Sequence, residues 1–300
     1  MSAILDTPVV GTAQELDAAR LHDADGMEDA EERARARRQR IDRTARWLMS
    51  LLTIVAGLVI WDRIVAWNAI PPYILPGPWL VAETLVEDAG LLWADLVQTM
   101  SITLLALAVA VLGGVGLAIL FTQSRLVEQS LSPYAVILQV TPVIAIAPLI
   151  RIYVDSPTMQ LLLCAWIVAF FPILSNTTLG LNSVDHNLRD LFRIYRANRW
   201  QRLVHLQLPA ALPYFMGGLR IAGGLSLIGA VVAEFVIGVG GTGNGLAARI
   251  LESGYRLNIP RLFAALIVIA LAGVAIYVVT GWISHLALRK WHESAVKREA

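Results

Sequence analysis

Polar and apolar positions are segregated along this chain. Residues 1–45 read as a polar tail of mixed acidic and basic charge. Within them AEERARARRQR carries many charges but no apolar stripe to bury, so this stretch reads as a solvated, largely disordered tail. After Arg46 the pattern changes. Apolar runs of about 20 residues, the length needed to cross a bilayer, recur to the end of the chain. They cover roughly 47–67, 96–121, 131–153, 158–179, 211–237 and 261–287. Each run is continuously apolar rather than alternating, which predicts helices and not the strands of a barrel. Pro142 and Pro148 predict a bend in the third. The expected fold is therefore all-α and integral to the membrane, with about six transmembrane helices over 46–290 and a short polar tail at 291–300.

Two linking segments carry patterns of their own. Residues 70–95 begin as Pro-rich extended chain. They continue with Trp79, Leu80, Leu85, Val86, Leu92 and Trp93 set against Glu83, Glu87 and Asp88, the pattern of a helix lying at the membrane interface. Residues 238–258 contain GVGGTGNG, read as a flexible turn, followed by a short amphipathic piece that ends at Pro260.

Composition reinforces the membrane reading: of 300 residues, 57% are hydrophobic and only 16% charged. So much apolar surface needs lipid as its solvent. The net charge of +1 conceals an asymmetry. With the N-terminus placed in the cytoplasm, Arg33, Arg35, Arg37, Arg38, Arg40, Arg43, Arg46, Arg125, Arg189, Arg193, Arg196, Arg199, Arg202, Arg289, Lys290, Lys297 and Arg298 fall inside. Only Arg63, Arg151, Arg249, Arg256 and Arg261 fall outside. This predicts a multi-pass protein with both termini cytoplasmic. MSAILDTPVV is too short and lacks a basic flank for a cleavable signal, so the first span reads as an uncleaved anchor. Cys164, the single cysteine, lies in LLLCAWIVAFF and reads as a small core residue.

Chemistry is sparse. The glycine-rich run is no phosphate loop, because that loop needs Gly-Lys-[Ser/Thr] and the two lysines, Lys290 and Lys297, are followed by Trp291 and Arg298. The histidines show no metal-ligand spacing. No nucleophile elbow or intramembrane carboxylate pair is present, and no basic face with exposed aromatics suits nucleic acid. Neither catalysis nor a metal or cofactor bound by this chain is expected. Polar residues inside the spans, Gln98, Thr99, Gln139, Thr141, Asn176 and Glu234, are candidates to line a pathway. Arg220 and Glu234 share the fifth span but stand about 21 Å apart along a helix, too far to pair. For Arg220 the reading is snorkelling toward the interface. For Glu234 a partner on another helix is the favoured reading over direct contact with a solute.

The most patterned segment is the loop 182–209. Leu188, Leu191, Phe192, Tyr195, Arg199 and Leu203 recur at helical spacing with basic residues between, and Pro209 and Pro213 close the segment before the next span. Its aromatics and arginines, Phe192, Tyr195 and Trp200 among them, suit an interface anchor for a cytoplasmic partner.

This loop resembles the EAA loop of binding-protein-dependent ABC importer permeases, which reads E-A-A-x-x-x-G and ends in apolar-x-L-P. Asp190, Leu191 and Phe192 stand at the E-A-A positions and Arg196 at the Gly. Leu206–Gln207–Leu208–Pro209 matches the ending. The stretches LPGPWLVAETL, QVTPVIAIAPLI, AFFPILSNTTLGLNSVD, RANRWQRLVHLQLPAALPYFMGGLRIA and GAVVAEF resemble the nitrate/sulfonate/taurine branch. The resemblance implies the type I permease arrangement in a bacterial inner membrane, with coupling helices between the fourth and fifth spans. It implies a second copy of the permease, two cytoplasmic ATPase subunits that hold ATP and Mg, and an external substrate-binding protein. The ATPase-coupling positions it implies are Asp190, Leu191, Phe192, Tyr195, Arg196, Ala197, Arg199, Trp200, Leu208 and Pro209. Arg in place of Gly at 196 suggests a different turn or a continuous helix there. The cargo implied is a small solute: a nitrate-, sulfonate- or taurine-like anion, an aromatic acid or a pyrimidine-type precursor. The alternatives are a secondary transporter or channel, which predicts inverted repeats and paired intramembrane charges, and a membrane scaffold, which predicts spans without polar positions.

Overall fold

A computed structural model describes residues 45, 48–237 and 245–289. The N-terminal tail, residues 238–244 of the glycine-rich run and the segment 290–300 lie outside the described residues. Every regular element among the described residues is helical. Met1–Asn68 and Ala69–Ala300 form two compact units. The first contains α1 (Leu48–Trp67), a hydrophobic helix long enough to span a bilayer.

The second unit holds α2 (Pro78–Glu87), α3 (Ala89–Gln123), α4 (Arg125–Val140), α5 (Val143–Tyr153), α6 (Pro157–Asn182), α7 (His186–Ile194), α8 (Arg199–Arg202), a π-helical turn η1 (Leu203–Gln207), α9 (Leu208–Ile237), α10 (Leu246–Tyr255) and α11 (Ile259–Leu288). By length and composition α1, α3, α6, the helix containing α9 and α11 can each cross a membrane, and α4 with α5 together make a sixth candidate.

The centre of this unit is the crossing of α6 on α9, with α3 packed on both and α11 packed on α9 and α3. In lipid the hydrophobic effect does not drive helices together, so close van der Waals approach has to. Small residues provide it along the whole crossing. A Cβ on Gly180 would sit 2.8 Å from the Ala211 Cα, one on Gly218 2.9 Å from the Pro172 carbonyl oxygen, and one on Gly229 2.9 Å from the Ala165 Cα. The core follows the same axis. One cluster joins Phe170, Ile173, Leu174 and Leu181 of α6 to Ala211 and Ala222 of α9 and Phe121 of α3. Another joins Leu161, Cys164 and Ala165 to Ala230, Ala233 and Ile237, with Ile102 and Ala147 beside them.

Three boundaries differ from expectation. The second span starts seven residues early, at Ala89, so Leu92 and Trp93 belong to α3 and not to an interfacial helix. The interfacial helix itself is the shorter α2, which packs on α11 and α3 through buried Val81 and Thr84 and turns Trp79 and Val86 outward. The third span is broken rather than bent. Thr141 and Pro142 are extended, at φ −76°, ψ 121° and φ −66°, ψ 121°, and α4 and α5 meet at 102°. The break lies at Pro142, whose ring drives the preceding residue out of the helical region, whereas Pro148 is accommodated within α5. Finally, Pro209 and Pro213 do not separate the loop from the fifth span: Arg199–Ile237 is one uninterrupted helical run. The π turn explains how. Leu208 N–H bonds back to the Leu203 carbonyl, five residues earlier, and the widened turn accommodates the Pro209 ring where a regular α-helix would clash.

Candidate functional site

Two places in the molecule gather functional side chains. The first is the loop between α6 and α9. Asp185 caps α7, its carboxylate accepting from the Asn187 N–H at 2.6 Å. Asn198 and Gln201 form a reciprocal capping box that starts α8. Between the two helices α7 ends in a Schellman motif. Ala197 N–H donates to the Phe192 carbonyl at 2.9 Å and Arg196 N–H to the Arg193 carbonyl at 3.0 Å. Arg196 therefore occupies the left-handed position, φ 52°, where glycine carries no Cβ penalty. The expectation that arginine there changes the turn or fuses the helices is corrected: the turn is kept and Arg196 bears the strain.

This geometry presents an apolar surface. Ile194, Tyr195 and Trp200 are 77%, 78% and 70% exposed, with Leu188 and Leu191 about half exposed beside them. Asp190, Arg193, Arg196, Leu208 and Pro209 are also exposed, and Phe192 and Ala197 are half-buried under the turn. Arg199 does not stand with Arg193 and Arg196. With Arg189 and Arg202 it lines a cavity between this loop and the ends of α3 and α6.

The second place lies at the opposite end of α9. The Glu234 carboxylate, 1% exposed, accepts from the Thr99 hydroxyl at 2.7 Å and from the Ala247 N–H at 2.9 Å. Thr99, fully buried, accepts in turn from the Leu246 N–H at 3.0 Å. Glu234 thus caps the N-terminus of α10 from α9, its carboxyl oxygens accepting where a helix start leaves N–H groups without intrahelical partners. Gly245 makes the approach possible. Its φ is 142°, and a Cβ there would lie 2.5 Å from the Glu234 carboxyl carbon. Next to this cluster Arg249 of α10 donates to buried Asp95 of α3 at 2.7 Å and also pairs with Glu252. The Asp95 hydrogen bond holds the guanidinium pKa above its ordinary value. Arg261 grips Asp88 with two nitrogens, at 2.6 and 2.9 Å, tying α11 to the α2–α3 junction.

Of the residues expected to line a pathway, only Thr99 and Glu234 meet, and both are sealed inside the bundle. Asn176 donates to the Pro172 carbonyl at 2.8 Å and fills the α6–α9 crossing against Gly218. Thr141 donates to the Ile137 carbonyl at 2.6 Å. Gln139 is exposed on α4, and Gln98 is half-buried on α3. Arg220 does more than snorkel: its guanidinium carbon lies 3.8 Å over the Tyr277 ring of α11. The ion pairs of Asp88 and Asp95 were not anticipated from sequence. Their signal was present as acids beside the second apolar run facing Arg249 and Arg261 on the same predicted side of the membrane.

The comparisons with known proteins agree with this architecture. Residues 110–290 match the family described as binding-protein-dependent transport system inner membrane component. A riboflavin transport system permease protein of Chloroflexus aurantiacus is 36% identical over 81% of this chain and 90% of its own. A formylaminopyrimidine transport permease protein of Halalkalibacterium halodurans is 32% identical over 72% of this chain and 85% of its own. Among solved structures, an amino acid ABC transporter chain superposes with a TM-score of 0.56 at 17% identity, covering 69% of this chain and 97% of that one, which bears on fold alone. Together with the hydrophobic helices, the matches establish that the chain belongs to the family of binding-protein-dependent transport system inner membrane components, and is a multi-pass inner-membrane permease component of an ABC importer for small solutes.

Proposed function

We propose that two copies of this chain enclose a translocation pathway that opens alternately to either side, driven by ATP hydrolysis in separate cytoplasmic subunits that dock on α7 and α8. The observation that carries the reading is the exposed patch Leu191, Ile194, Tyr195 and Trp200, held in place by the two caps and the left-handed turn at Arg196. Aromatic anchors with arginines at the edge are the usual composition of a tight interface centre. ATP and Mg belong to the docking subunits, and an external binding protein delivers the cargo. Both termini then lie in the cytoplasm, on the side of the α6–α9 loop, in keeping with the arginine asymmetry.

The cargo is a small heteroaromatic or anionic solute. The names of similar proteins span riboflavin, formylaminopyrimidine, aliphatic sulfonates, nitrate and taurine. The two heteroaromatic carriers are 36% and 32% identical to this chain, against 28% for the sulfonate and taurine carriers, which favours the heteroaromatic class. Co-expression with an ATPase subunit and a binding protein of the same family, reconstitution into vesicles, and uptake of labelled solute test the whole reading. Uptake dependent on ATP and on the binding protein supports it. Appreciable ATP hydrolysis by this chain alone, or uptake without ATP, refutes the division of labour.

A further inference from the structure

The cavity beneath the α6–α9 loop has a chemistry that docking does not use. It is an open cavity of about 320 Å³, lined by Thr122 and Gln123 from the end of α3, Asn182 from the end of α6, Arg189, Arg199, Arg202 and Gln207 from the loop, with Leu206 as its apolar wall. Three arginines therefore line one space, Arg199 from its exposed rim, and no acidic side chain among the described residues lines it. Among the described residues none of the three forms an ion pair. Arg189 donates to the Asn182 carbonyl at 3.2 Å, and the Arg202 Nε–H is buried without a hydrogen-bond partner.

Part of this charge has a local explanation. The ends of α3 and α6 each present a negative helix terminus of about half a charge. Three full positive charges against two half charges leave a surplus of roughly two. A buried guanidinium N–H left unpaired is costly, and arginines in a fork geometry are the natural receptors of a tetrahedral oxyanion.

We propose that this cavity binds a phosphate-class anion. The site goes beyond the transport reading and takes no part in choosing the cargo; it rests on that reading only for its level in the membrane. On the side assigned to the cytoplasm, the ends of α3 and α6 lie where lipid phosphates lie. The anion comes from the headgroup of an anionic phospholipid or from soluble phosphate, and both would join the loop to the helix ends that α8 and η1 lean on. A carboxylate of the docked ATPase is the competing occupant. The buried Arg202 Nε–H favours an anion held within this chain.

The experiment uses the full-length chain purified in detergent and in vesicles of phosphatidylglycerol or phosphatidylcholine. Phospholipid retained on the protein is quantified, and thermal unfolding is followed with and without inorganic phosphate. The wild type is expected to retain phosphatidylglycerol selectively. Arg199→Gln/Arg202→Gln is expected to lose that retention by roughly tenfold or more, as removal of charge-assisted contacts requires. Arg151→Gln, an equal change per residue at the far end of the molecule, is expected to retain it. Stabilisation by inorganic phosphate without lipid selectivity supports the same site with a soluble source. If the double variant fails to accumulate, Arg202→Lys replaces it; this keeps the charge, removes the buried Nε–H and is expected to lose part of the response. No selectivity and no phosphate effect in the wild type overturns the proposal. So does a variant that responds as the wild type does, or one that keeps the anion response and loses only ATPase binding. Uptake of solute is scored separately, so failure of this site leaves the transport reading standing.

Discussion

Glu234 provides the sharpest test of how the bundle is held. Its carboxyl group, buried in the bundle, accepts two hydrogen bonds, from the Thr99 hydroxyl and the Ala247 N–H. Glu234→Ala removes both. It leaves the Thr99 hydroxyl and one N–H at the start of α10 without partners, and it empties the space against Gly245. Among the described residues Glu234 has no cationic partner, so the cost is that of two neutral donors left buried without acceptors, about 1–3 kcal/mol each, with a cavity added. The expected loss is therefore about 3–5 kcal/mol. Glu234→Gln keeps an acceptor for Ala247 and the volume, and forces a donor-to-hydroxyl rearrangement at Thr99, so its loss is expected near 1–2 kcal/mol. Thermal unfolding in detergent, followed by intrinsic tryptophan fluorescence, reads the order wild type, Gln, Ala. Hydrogen exchange should localise the damage to α10 and spare the α6–α9 crossing. If the alanine variant unfolds within about 0.5 kcal/mol of wild type, a range ordinary for surface substitutions, Glu234 is not the anchor of α10.

Other outcomes follow from the same structure. Arg196→Gly should slow amide exchange in α7, because it relieves left-handed strain by about 0.5–1 kcal/mol net of glycine's extra chain entropy; faster exchange would contradict the Schellman assignment. Tyr195→Ala or Trp200→Ala should abolish ATPase co-purification while leaving membrane insertion unchanged, and single cysteines at 192–196 should crosslink to the ATPase; normal transport by both variants would remove the loop from the coupling role. Gly229→Val pushes against the Ala165 backbone and should destabilise by about 1–3 kcal/mol, whereas Gly224→Val, whose Cβ meets nothing within 4 Å, should melt in detergent as the wild type does. Arg261→Met strands Asp88 at a partly exposed site, so its cost should stay near 1–2 kcal/mol and shrink as salt rises.

Helix identity was legible because lipid imposes a coarse and repetitive signal: each span needs about 20 apolar residues, and those runs stand out against the loops. Proline was where that signal misled. Pro142, Pro148, Pro209 and Pro213 look alike in a sequence, but only Pro142 breaks a helix here. The outcome depends on whether the preceding turn can widen, as it does at Leu203–Gln207, and that is decided by packing. Asp190–Phe192 and the Leu-Gln-Leu-Pro ending located the loop, yet the left-handed turn at Arg196 ran against its residue type. Glu234 was visible as a misplaced acid. Its donors, 135 residues back in Thr99 and 13 ahead in Ala247, were not, because pairing across helices leaves no local trace.

The unbroken run from Arg199 to Ile237 contains 39 residues, a rod of about 58 Å. One tip carries Trp200 and the other carries Glu234, so the two places described above are ends of a single lever. A tilt of a few degrees at the Trp200 end swings the Glu234 end by several ångströms unless the rod yields. Its weakest section is the π turn at Leu203–Gln207, where the regular ladder is already interrupted. If the ATPase subunits dock on α7 and α8 as proposed, stiffness there sets how much of a push reaches the other end of the rod and how much is absorbed on the way.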